Sequence, residues 1–117
     1  MSKNSALLDI AAAQEWKREN PELHRERIVK QAIADAAAER PISVHSYIVR
    51  IREKDRVNRH GQPVKVNDHF GPVWGRELWR DYPELRKWLR IRRAEELDEI
   101  YGIRSDHFGI VEGVANG

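Results

Sequence analysis

The chain contains no cysteine, one methionine and two phenylalanines. Nowhere does it stay apolar for the roughly 18 residues that a membrane-spanning helix needs. Without cysteine there is no disulfide framework, no thiolate metal site and no thiol nucleophile. The N-terminal stretch MSKNSALLDIAAAQEW is interrupted by Asp9 and lacks both the hydrophobic segment and the small-residue cleavage site of a signal peptide. A cytoplasmic protein without membrane contact is expected. Catalytic signatures are missing too: there is no phosphate-cradling glycine loop, no HExxH and no nucleophile elbow. The five histidines, at 24, 45, 60, 69 and 107, are scattered.

What is present is a small, highly charged chain with enough apolar residues to fold. Its 117 residues are 40% hydrophobic and include four tryptophans, which suits one domain with a modest core. Charged residues make up 34%, and the net charge is only +2. The charge is blocked, however. Residues 40–65 hold seven Lys/Arg against two acids, residues 76–93 seven against three, and residues 95–112 one against six. A basic centre followed by an acidic tail points to a polyanion-facing middle, where the alternative is blocked charge that only solvates helix faces.

Along the chain the pattern is helical with one β-like interruption. Ser5 to Glu19 is rich in helix formers, although Leu7, Leu8, Ile10 and Trp16 share no clean face. Asn20-Pro21-Glu22 reads as a cap, a first-turn proline and an acid at the positive helix end. The helix it starts carries the stripe Val29, Ala32, Ile33 and Ala36, flanked by Ile28 and Ala37, and ends at Arg40-Pro41. Ser43 can cap a third helix, in which Val44, Tyr47, Ile48 and Ile51 lie on one face. Val57 to Val66 then alternates around His60-Gly61 and suits a short hairpin, with Pro63 limiting its length.

Helix, short turn and compact helix is the arrangement of a helix-turn-helix, and a hairpin placed after the second helix would be a wing. Residues 21–66 therefore form the expected recognition unit. Arg50, Arg56, Arg59 and Lys65 would position a DNA backbone, with His60 near the hairpin tip, while His45 and Arg52 are placed for base edges. Asp68-His69, with His60 upstream, matches the start of a ββα metal-nuclease site. A metal site needs three or four converging ligands, and no suitably placed Asn and second downstream His follow, so a turn cap is expected there instead. No enzyme, cofactor or metal is expected.

Residues 67–103 read as a second helical unit. Asn67-Asp68 precedes Phe70, Val73, Trp74, Leu78 and Trp79, and Asp81-Tyr82-Pro83-Glu84 opens a long C-terminal helix that ends near Gly102. On that helix Leu85, Trp88 and Leu89 form a stripe that Leu97, Ile100 and Tyr101 do not continue. A second subunit packing on Trp88, Leu97, Ile100 and Tyr101, and so a homo-oligomer, is the resulting expectation. Residues 104–117 read as a flexible tail with Phe108, Ile110 and Val111 as a docking patch.

The segment WRDYPELRKWLRIRRAEELDEIYG, with Trp79, Asp81, Pro83-Glu84-Leu85, Arg93-Ala94-Glu95 and Asp98-Glu99-Ile100, resembles the stretch that comes after the DNA-binding helix in phage terminase small subunits. The resemblance covers about a fifth of the chain. It implies a helical DNA-recognition protein of a bacterial host's cytoplasm that assembles into a ring and directs a packaging motor to viral DNA. That family would place a tight helix pair before Trp79, where this chain has GPVWGRELW, and this adds Arg76 and Arg80 as DNA candidates. The reading is thus a mainly α protein of one domain over residues 1–103. It has a helix-turn-helix or winged-helix-like core with one short β-hairpin, a long C-terminal helix, and double-stranded DNA as partner. The alternative is a small protein-binding adaptor or inhibitor that uses a Trp-rich patch of Trp74, Trp88 and Ile100. Pairing of Glu53 and Asp55 with Arg50, Arg52 and Arg56 would favour that alternative.

Overall fold

The computed structural model describes residues 3–57, 60–104 and, for the backbone alone, 110–111. Among them the fold is mainly helical. Helix α1 (Lys3–Glu19) packs through Ala6, Ala13 and Trp16, which is why its leucines share no stripe. The buried face is built from alanine, and Leu7 and Leu8 stay 50% and 70% exposed. Lys17 and Arg18 sit in its last turn, opposite in sign to the helix end.

Asn20 stands at the N-cap of the second helix, its carbonyl accepting from His24 N at 3.0 Å, but its side chain makes no cap bond. Its Nδ2 donates back to Trp16 O at 3.1 Å, closing α1. Pro21 then supplies the first residue of α2 (Pro21–His24). This runs without a break through a π-helical segment (Arg25–Val29) into α3 (Lys30–Ala37). The buried line along this rod is His24, Ile28, Ala32 and Asp35. The expected stripe is therefore displaced: Ile33 is 44% exposed. Asp35 turns inward because Tyr47, Arg40 and Gln31 all donate to its carboxylate.

Glu39 takes a left-handed φ of 59° and turns the chain. Ser43 then caps α4 (Val44–Lys54) as expected, its Oγ accepting from Ser46 N at 3.3 Å. Val44, Tyr47, Ile48 and Ile51 are all buried. Among the described residues the expected hairpin shows one antiparallel bridge, Val57 to Pro63, with Val64 N donating to Arg56 O at 2.9 Å. Asn58 and Arg59 lie outside the described residues.

Helix α5 (Phe70–Asp81) is the centre of the molecule. Every residue from Phe70 to Trp79 except Pro72 is buried, and α1, α4 and α6 pack around it. Trp74 meets Trp16, Phe70 and His24 at ring-centroid distances of 5.2, 5.3 and 4.8 Å.

The long C-terminal helix is not formed. A 3-10 turn (Pro83–Trp88) leads into extended chain at Leu89, strand β1 (Ile91–Arg92) and then a short helix α6 (Glu95–Tyr101) closed by left-handed Gly102. The cause is a long-range pairing. Ile42 N donates to Trp88 O at 2.8 Å and Arg90 N to Ile42 O at 3.0 Å, so Leu89 is held extended beside the α3–α4 turn. Leu89 and Ile91 can then both enter the core, which two residues spaced by two cannot do on one helix. The stripe mismatch that suggested a second subunit is resolved within the chain. Ile110–Val111 (β2) pairs in parallel with β1, and the rest of the expected tail docking patch, Phe108, lies outside the described residues.

Candidate nucleic-acid interface

Helix α4 is fixed from beneath. The Tyr47 hydroxyl donates to Asp35, and Arg40 adds Nε and Nη2 at 3.2 and 2.9 Å from Asp35 Oδ1. Burial pushes the Asp35 carboxyl up, but the bonds from Tyr47, Arg40 and Gln31 outweigh it and hold it below the ordinary carboxylate range. Burial, and then that same carboxylate, raises the Tyr47 phenol. At the other end of α4, Arg27 grips Asp55 through Nε and Nη2 at 2.9 and 3.1 Å. These contacts tie the first long rod to both ends of α4.

Arg52 is also a brace. Its Nε and Nη2 donate to Val66 O at 3.2 and 2.9 Å, and Nη2 lies 2.8 Å from Asp68 Oδ1. Its donors are directed at the chain beyond the hairpin, so the expectation that it reads base edges is corrected. His45 lies beside the same carboxylate, Nδ1 to Asp68 Oδ1 being 3.9 Å, and is otherwise exposed.

The remaining cations behave differently. Arg50 is exposed, its guanidinium carbon 6.0 Å from the Tyr47 ring centre. Lys54, one turn further along the same flank, is missing from the set expected from sequence, although its i+4 spacing from Arg50 is the signal that finds it. Arg56 and Lys65 are exposed on the two arms of the bridge, and His60 is exposed at its turn. Among the described residues no carboxylate lies within ion-pair distance of Arg50, Lys54, Arg56 or Lys65. Asp55 is taken by Arg27, so the pairing that would have favoured a protein-binding role is not made.

Other candidates are placed elsewhere. Arg76 is 0% exposed and cannot touch DNA. Its Nε bonds Asp98 Oδ1 at 2.8 Å, Nη1 bonds Pro72 O at 2.9 Å, and Nη2 bonds Arg92 O at 2.7 Å. Burial lowers its affinity for the proton, and Asp98 works against that. Arg80 is exposed at the end of α5, but both its Nε and Nη2 engage Asp81, at 2.7 and 3.1 Å. Leu97 is 1% exposed, a core residue and not an interface one, while Trp88, Ile100 and Tyr101 are partly buried against that core. Trp74 is 0% exposed, which removes it from any surface patch. Arg59 lies outside the described residues. Compared with protein-family models, curated proteins and solved structures, the chain matches none.

Proposed function

We propose that this chain binds double-stranded DNA, with α4 as its reading helix and residues 56–65 as a wing beside it. The observation that carries the proposal is the set of exposed cations on and next to α4, Arg50, Lys54, Arg56 and Lys65, that no described carboxylate neutralises. Groups of this kind release counterions when they meet phosphates, which gives affinity without sequence preference. Sequence reading falls to the outward side of the first turns of α4, where Ser46 and Arg50 stand. Arg50 has the fork geometry that matches guanine in the major groove. The Asp35–Tyr47–Arg40 cluster and the Arg27–Asp55 pair hold α4 in place, so little ordering is left to be done on binding.

The experiment is a duplex titration across a salt series. Each phosphate contact contributes roughly 0.9 to the slope of log affinity against log salt, so Lys54→Ala/Arg56→Ala should lower that slope by about two. Arg80→Ala, whose guanidinium is held by Asp81, should leave it unchanged. Binding that ignores salt, or a double variant with the original slope, overturns the proposal.

A further inference from the structure

Residues 89–92 alternate between core and solvent. Leu89 and Ile91 are 0% and 4% exposed, whereas Arg90 and Arg92 are open to solvent. This is the period-two pattern of extended chain with one side on the core, and it turns both arginines outward.

The bridge to Ile42 fixes where that outward side lies. Ile42 and Leu89 are partners in a parallel pairing, and both side chains are wholly buried. One residue further along each chain, Ser43 and Arg90 turn the other way together. Ser46 Oγ donates to Ser43 Oγ at 3.0 Å, and Ser46 is the exposed residue that begins the row Ser46, Arg50 and Lys54 along α4, at steps of four. Arg90 therefore stands at the N-terminal end of the row on which the DNA reading rests.

The charge of both arginines is left for a partner. Among the described residues no carboxylate lies within ion-pair distance of either. Asp98, which Arg76 links to the Arg92 carbonyl, is already neutralised. Arg90 Nη1 makes a long contact, 3.5 Å, to Trp88 O.

Length decides what such a row can span. From Ser43 to Lys54 it covers eleven residues, or about 16 Å at the rise of an α-helix. The major groove is about 12 Å wide, and the backbones on its two rims belong to different strands. The row thus carries cations to both rims. Arg90 and Arg92 lie at one end and Lys54, Arg56 and Lys65 at the other, with Ser46 and Arg50 between them.

We propose that Arg90 and Arg92 form a second phosphate-binding edge, which holds the DNA strand across the groove from the one held by Lys54, Arg56 and Lys65. The inference rests on DNA binding by α4.

The test titrates the full chain with a random duplex across a salt series. Arg90→Ala/Arg92→Ala should lower the slope of log affinity against log salt by about two, and by about four when combined with Lys54→Ala/Arg56→Ala. A second duplex carries uncharged methylphosphonates on one strand. The end with three cations takes its charged strand, so Arg90→Ala/Arg92→Ala should leave the slope on this duplex unchanged. The inference is overturned if that variant keeps the original slope on the ordinary duplex while Lys54→Ala/Arg56→Ala lowers it. It is also overturned if the variant lowers the slope equally on both duplexes, which would put both edges on one strand. An unaltered chain without salt-dependent duplex binding overturns the reading of α4 and this inference together.

Discussion

Replacing Arg76 separates a structural guanidinium from a DNA-contacting one. Arg76 is wholly buried, and three acceptors depend on it: Asp98, the carbonyl of Pro72 and the carbonyl of Arg92. In Arg76→Ala, Asp98 keeps only the backbone N–H of Ala94, at 3.1 Å, and its charge stays buried. Breaking a buried pair in this way costs about 3–5 kcal/mol, against a total stability of about 5–15 kcal/mol for a domain. The double variant Arg76→Met/Asp98→Asn removes both charges and leaves an amide oxygen for the Ala94 N–H. It should lie within about 2 kcal/mol of the original chain. Urea unfolding monitored by far-UV circular dichroism reads both, with an unchanged dependence on denaturant confirming that the unfolded state is the same. A loss of less than about 1 kcal/mol in Arg76→Ala would refute the reasoning. A changed salt slope for duplex binding in a fully stable Arg76→Ala would refute it more directly.

Two more outcomes are expected from the same interior. Gly75→Ala places a Cβ 3.5 Å from Ile91 Cγ1, an ordinary contact, in the middle of α5. It should stabilise the chain by about 0.5–1 kcal/mol in the same urea assay, and destabilisation would mean that the α5–β1 contact has no room to spare. Burial, and then the nearby Lys17, lowers the folded His24 to about 4 where the unfolded ring titrates near 6.5, so the unfolded chain takes up the proton first. Stability should be full above the ordinary histidine range and fall by about 3 kcal/mol as pH drops from the upper value to the lower. His24→Phe should flatten this part of the curve, and an equally steep curve in the variant would assign the loss to other groups.

The parts of this architecture that can be read from sequence are those written in local spacing. Ser43 followed by Val44, Tyr47, Ile48 and Ile51 specifies a capped helix and its buried face within nine residues, and all of it is found. The C-terminal segment misleads for the opposite reason. Leu85 and Leu89 are four apart and suit a helix, and only Ile42, far upstream, makes Leu89 extended. Charge misleads in the same manner. Arg76 and Arg52 look like any exposed arginine until Asp98 and the Val66 carbonyl, brought in by the fold, absorb them. The cations legible as a surface are those whose neighbours in sequence settle the matter, Arg50, Arg56 and Lys65. His24 gives no signal, since neither a buried ring nor a π turn has a local pattern.

The bridge between Ile42 and Leu89 has a consequence for how the protein is made. The turn leading into α4 completes its backbone bonding only with Trp88 and Arg90. During synthesis, at about 5–20 residues per second, the helix pair leaves the ribosome seconds before the strand that locks it. In that interval Ile42 has an unpaired edge and α4 has an incomplete partner. The stretch from Pro21 to Val66 thus depends for part of its backbone bonding on residues made after it, and cutting the chain after Val66 would remove the partners of Ile42.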